Sequence, residues 1–94
     1  MRSYELMLVL APDSAIDSLE KQESLVKKLV GDVDIHIQEV TSLGKKQLAY
    51  PIQKHKDGIY ILVQLEASSL NISVIEKQAR LGTDVIRYLL IAKN

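Results

Sequence analysis

Hydrophobic side chains in this sequence switch between a two-residue and a helical period in the order strand, helix, strand, strand, helix, strand. That order leaves few ways to bury them. Residues 3–10 alternate and are stopped by Ala11-Pro12-Asp13. Tyr4, Leu6, Leu8 and Leu10 share one face, and Glu5, Met7 and Val9 the other. Apolar residues on both faces mark a strand central to its sheet. Residues 14–30 place Ile16, Leu19, Val26, Leu29 and Val30 on one helical stripe. Ser14 or Asp13 is the expected N-cap, with Asp17 three positions after Ser14. Gly31 is expected to end this helix in a left-handed conformation.

Residues 34–40 alternate again, with Ile35 and Ile37 opposite His36, Gln38 and Val40. The pattern resumes after Gly44 with Lys46, Leu48, Tyr50 and Ile52 on one side. This predicts one long strand with a bulge or bend at Gly44. Pro51 lacks an N–H and assigns that strand to a sheet edge. Lys54-His55-Lys56-Asp57-Gly58 reads as a hairpin turn signalled by Asp-Gly, and residues 59–66 as the returning strand. Residues 68–81 read as a second helix, capped by Ser69 or Asn71. Ile72, Ile75 and Ala79 should face inward, and Gly82 should end the helix. Residues 84–91 form the last strand.

Two crossover units of right-handed connection then give an α+β fold. It is a four-stranded antiparallel sheet with two helices on one face. The first and last strands pair beside the third, and the second lies at the edge. Ninety-four residues suit a single domain spanning 1–94.

The covered face would carry Leu6, Leu8, Leu10, Ile61, Val63, Leu65, Tyr88 and Leu90. The opposite face would show Met7, Val9, Tyr60, Leu62, Leu89 and Ile91, with Glu5, Gln64 and Arg87. A solvated sheet face is ordinarily polar. A contiguous apolar patch there points to a protein partner or self-association.

Charge is distributed unevenly along a neutral chain. Residues 1–39 carry four basic and eight acidic side chains, whereas residues 40–56 carry four lysines and no acid. Such a local basic patch suits a defined anionic partner, although a lysine-rich edge also discourages aggregation. Lys45, Lys46, Lys54 and Lys56 can meet phosphates, and Tyr50 among them can stack on a base. Arg2 and Tyr4 on the first strand and Arg87 on the last would extend that surface across the sheet.

Enzyme chemistry finds little support. His36 and His55 lack metal-ligand spacing. The glycines are isolated at element ends, and neither a nucleophile elbow nor a cysteine is present. No catalytic residue, metal, cofactor or small-molecule substrate is expected. Without cysteine there are no disulfides. No apolar run is long enough for a membrane, and no signal-like start is seen, so the cytoplasm is the expected location. The alternative reading is a sheet-mediated oligomer of the same fold acting as an enzyme or ligand-sensing module.

Met1-Arg2-x-Tyr4-Glu5, Gly44-Lys45-Lys46-x-Leu48-Ala49-Tyr50-Pro51-Ile52 and Val85-x-Arg87-Tyr88 together resemble the bacterial small-subunit ribosomal protein six family. Lys54-His55-x-x-Gly58-x-Tyr60 adds to the likeness, which runs the length of the chain. The resemblance implies a ferredoxin-like, non-enzymatic component of the small ribosomal subunit. It would bind the central domain of small-subunit ribosomal RNA together with ribosomal protein eighteen as a heterodimer. By position, Arg2, Tyr4, Lys45, Lys46, Tyr50, Lys54 and Arg87 are the implied RNA-side residues. Departures from the family pattern are Gln47 at a commonly basic position, Leu43 where tryptophan is frequent, and Ala79 where a larger aliphatic is usual. Ala79 should leave a space unless a neighbour fills it. Many relatives continue beyond the position of Asn94, so partner affinity is expected to rest more on the sheet here.

Overall fold

The structure, a computed structural model, describes residues 2–16, 18–31, 34–52, 54–82 and 84–93. The elements run β1 (Arg2–Leu10), α1 (Leu19–Val30), β2 (Ile35–Ile52), β3 (His55–Ala67), α2 (Ile72–Leu81) and β4 (Val85–Ala92). The sheet order is β2-β3-β1-β4, with every neighbouring pair antiparallel. The expected topology is therefore observed, with β2 at an edge.

Alternation in β1 explains the main core. Leu6, Leu8 and Leu10 are fully buried beside Ile61, Val63 and Leu65 of β3. Val26, Leu29 and Val30 of α1 and Ile75 of α2 close over them, and Tyr88 and Leu90 of β4 pack at the margin. Each such aliphatic side chain contributes about 1.5–3 kcal/mol relative to exposure. Burial of this face is what ties the helices to one side of the sheet.

Both helices begin later than the sequence pattern suggested. Ser18 caps α1, its hydroxyl accepting from the Lys21 N–H at 3.2 Å. Ser14 instead holds the loop before it. Its hydroxyl accepts from the Ile16 N–H and donates to Asp84 Oδ1 at 3.1 Å, at the foot of β4. The expected contribution of Asp17 lies outside the described residues, as does Met1. Leu19 is 57% exposed, so it leaves the apolar stripe, while Ile16 reaches the core from the loop. Asn71 caps α2, accepting from the Ser73 N–H at 2.9 Å. Ile72 is exposed rather than inward, at the first position of α2 directly after the Asn71 cap. Gly31 has φ +79 but ψ −149, a positive-φ terminus outside the left-handed helical well. Gly82 is extended, with φ −98, so nothing about its backbone requires glycine.

The hairpin turn also sits elsewhere. Ile52 pairs with His55, so the connection is tighter than residues 54–58, and Lys54 takes φ +70 within it. Asp57 and Gly58 are inside the ladder, opposite Gln47 and Lys46. Gly58 is there for space: a Cβ would meet Val9 Cγ1 at 2.5 Å. Gly44 does carry the predicted irregularity, with φ +86 and a register shift beside it. Across the ladder β2 uses extra residues relative to β3, at Gln38, at Leu43 and within Leu48–Pro51. Pro51, which cannot donate a hydrogen bond, falls in the last of these interruptions.

Candidate nucleic-acid interface

The far face of the sheet is organised in rows across the strands. Register sets Thr41, Leu62, Met7 and Leu89 side by side, and then Gly44, Tyr60, Val9 and Arg87. A third row runs Glu39, Gln64, Glu5 and Ile91. These rows bring together the side chains that alternation assigns to this face, with one correction. Val9 is buried, in a second cluster with Ala11 and Ile86 against which Leu48, Ile52 and Tyr60 pack. The bend at Gly44 and the interruption at residues 48–51 fold the outer arm of β2 over that corner. Ile86 joins because β4 slips register beside Val9, which leaves Ile86 without a counterpart on β1. Simple alternation could not reveal this, since a bulge reverses the faces.

The remaining face stays open. Leu89 is 56% and Ile91 45% exposed, and Met7 and Leu62 are half-buried. Met7, Val9, Tyr60, Arg87, Tyr88 and Leu89 line a depression of about 260 Å³.

Basic side chains gather on the arm beside it. Lys45 and Lys46 precede the interruption, Lys54 occupies the hairpin tip, and Lys56 follows on β3, all exposed. Tyr50 is 62% exposed. Its alternation partners Leu48 and Ile52 turn inward, while the interruption turns the Tyr50 ring outward. The Lys46 ammonium lies 5.9 Å from the centre of the Tyr60 ring, within cation–π range. Arg87 lies in the same row as Tyr60, so the basic arm and the apolar face share a border.

Two residues implied for RNA do not join this patch. Tyr4 is 7% exposed in the main core, so its ring is a packing surface and is not open for stacking. Arg2 is exposed but begins β1, opposite Ala67, whereas Lys45 lies level with Ile59 and Leu10. Eight residues of strand separate those positions, roughly 26 Å. His36 and His55 likewise sit at different ends of the β2–β3 ladder.

Ala79 lines a pocket of about 270 Å³ between α2 and β4, with Val85, Tyr88 and the exposed Arg80. It is a groove open to solvent, so the small side chain leaves a surface depression and not an enclosed cavity.

Sheet order, helix placement and the two differently covered faces define an α+β protein of the ferredoxin-like class. The family model described as ribosomal protein S6 matches residues 3–92. Small ribosomal subunit protein bS6 of Picosynechococcus sp. is 40% identical over 87 residues, covering 93% of this chain and 76% of that protein. Its counterpart in Synechococcus sp. (strain CC9311) is 36% identical over 91 residues, covering 97% and 75%. The crystal structure of 30S ribosomal protein S6 from Thermotoga maritima superposes with a TM-score of 0.74 at 27% identity, over 98% of this chain and 87% of that one. The chain belongs to the ribosomal protein S6 family, a family of ribosomal structural proteins and not of enzymes. Among the described residues no helix is long and apolar enough to cross a membrane.

Proposed function

We propose that this small-subunit ribosomal protein binds the central domain of small-subunit ribosomal RNA through its basic arm and pairs with ribosomal protein eighteen across its open sheet face. On the RNA side, Lys45, Lys46, Lys54, Lys56 and Arg87 meet phosphates, and Tyr50 offers a ring to an unstacked base. Arg2 is a separate contact at the other end of the sheet. On the protein side, Met7, Tyr60, Leu62, Leu89 and Ile91 form the apolar surface, and Val9 supports it from below. Work on the ribosome places the protein in the cytoplasm.

The observation that carries this reading is the border at Lys46 and Tyr60, where a cation rests over an aromatic ring of the apolar face. An RNA on the arm and a protein on the face would touch each other there. Each partner then raises the affinity for the other. The neutral net charge of the chain agrees with weak RNA binding alone and stronger binding as a pair.

Titrating labelled central-domain RNA with the protein, with and without ribosomal protein eighteen, tests the reading. Tighter binding in the presence of both is expected. Equal affinity in the two titrations would overturn the composite interface.

A further inference from the structure

The two edges of the sheet are treated differently. β2 is guarded by Pro51, by a positive-φ glycine, by interruptions of its ladder and by Lys45 and Lys46. These are the devices by which edge strands avoid pairing with other chains. β4, the other edge, has none of them beyond its start. After the slip at Ile86 it runs regularly to Ala92, contains no proline, and carries Arg87 as its one charge. Its outward N–H and C=O groups form a template for another strand. The most exposed apolar residues of the open face, Leu89 and Ile91, lie on this same strand.

We infer that β4 is a self-pairing edge, and that two copies of this chain join antiparallel through it into one continuous eight-stranded sheet. Charge selects the register. Side chains opposed across antiparallel strands share a face, so the two-fold axis falls midway between one residue of β4 and the same residue of the second copy. An axis at Leu89 stacks Leu89 on its symmetry mate and sets Arg87 beside Ile91 of the second copy. Glu5 is the neighbour of Ile91 on β1. Arg87 of one copy then lies two strand spacings, about 10 Å between backbones, from Glu5 of the other. Their extended side chains span that gap. Glu5 already faces Lys93 at 3.8 Å on a partly exposed surface, so it can take a second cation. On the helix side the same register sets Tyr88 against Leu90, which joins two apolar side chains. A single strand pair is a small contact, so the dimer is expected to dissociate between about 1 μM and 1 mM.

Sedimentation velocity of the purified chain over that concentration range tests this without RNA or any other protein. Its failure therefore leaves the proposed ribosomal role untouched. A concentration-dependent rise to twice the monomer mass is expected. Arg87→Glu should weaken the dimer at least tenfold by setting two acids together, as should Glu5→Arg by setting two cations together. The combined exchange Arg87→Glu with Glu5→Arg should restore it. Leu89→Glu, at an exposed position, should leave a folded monomer by circular dichroism. A chain that stays monomeric at about 1 mM overturns the inference, including one that is captured there only by a different protein. So does a dimer indifferent to both Arg87→Glu and Leu89→Glu.

Discussion

Gly58 and Val9 are in contact across the β3–β1 seam so closely that a Cβ on Gly58 would lie 2.5 Å from Val9 Cγ1, with the Leu10 carbonyl 3.4 Å away. Leu48 closes the same spot from the arm of β2 at 3.5 Å. The glycine lets the arm fold down over the second cluster. Gly58→Ala should therefore cost about 1–3 kcal/mol through overpacking, read from urea unfolding. Gly44→Ala makes a useful contrast. Nothing lies within 4 Å of its missing Cβ, and only its φ of +86 opposes the change, so about 1–2 kcal/mol of backbone strain is expected.

Replacing Lys45 and Lys46 together by alanine should weaken RNA binding while leaving the unfolding midpoint nearly unchanged, because both side chains are exposed. The diagnostic is the salt dependence. Each lost phosphate contact lowers the slope of log affinity against log salt by roughly 0.7–0.9. The double variant should lose roughly 1.5, and a slope equal to that of the parent would show that neither lysine meets a phosphate.

Ala79→Leu should stabilise the domain by about 0.5–2 kcal/mol, since it fills the space between α2 and β4. Ala79 is half-buried at the core margin and that space measures about 270 Å³. Thermal unfolding of the variant gives the sign directly, and a lower midpoint would mean that Tyr88 cannot accommodate the larger side chain.

Leu62→Lys combined with Leu89→Glu should abolish association with ribosomal protein eighteen. The pair lies in one row of the open face, on either side of Met7. Co-purification checks it, and retention of the partner by the double variant would move the protein interface elsewhere.

Much of this was readable in the sequence because burial dictates period. The alternation in β1, the helical stripes and Pro51 specify the sheet order and the edge without outside help. What failed to read were residues whose partners are remote. Ser14 looks like a helix cap because serine caps helices, yet its hydroxyl bonds Asp84, seventy residues away. Asp57-Gly58 has the form of a turn, but Gly58 answers to Val9 on another strand. Tyr4 carries the same ring as Tyr50, and only the fold separates a core aromatic from an exposed one. In the candidate site, the lysines and Tyr50 were legible from composition. The inward turn of Ile86 was not, because it depends on a slip between two strands.

The additional residues of β2 leave slack in its ladder with β3, one at Gln38, one at Leu43 and the rest within Leu48–Pro51. Strand faces invert when a register moves by one, so a deletion in β1 would turn the core inside out. In Leu48–Pro51 the same deletion is absorbed before it reaches Val40 and Val63. The reach and aim of the basic arm can therefore be retuned by insertion or deletion while the interior of the sheet keeps its alignment.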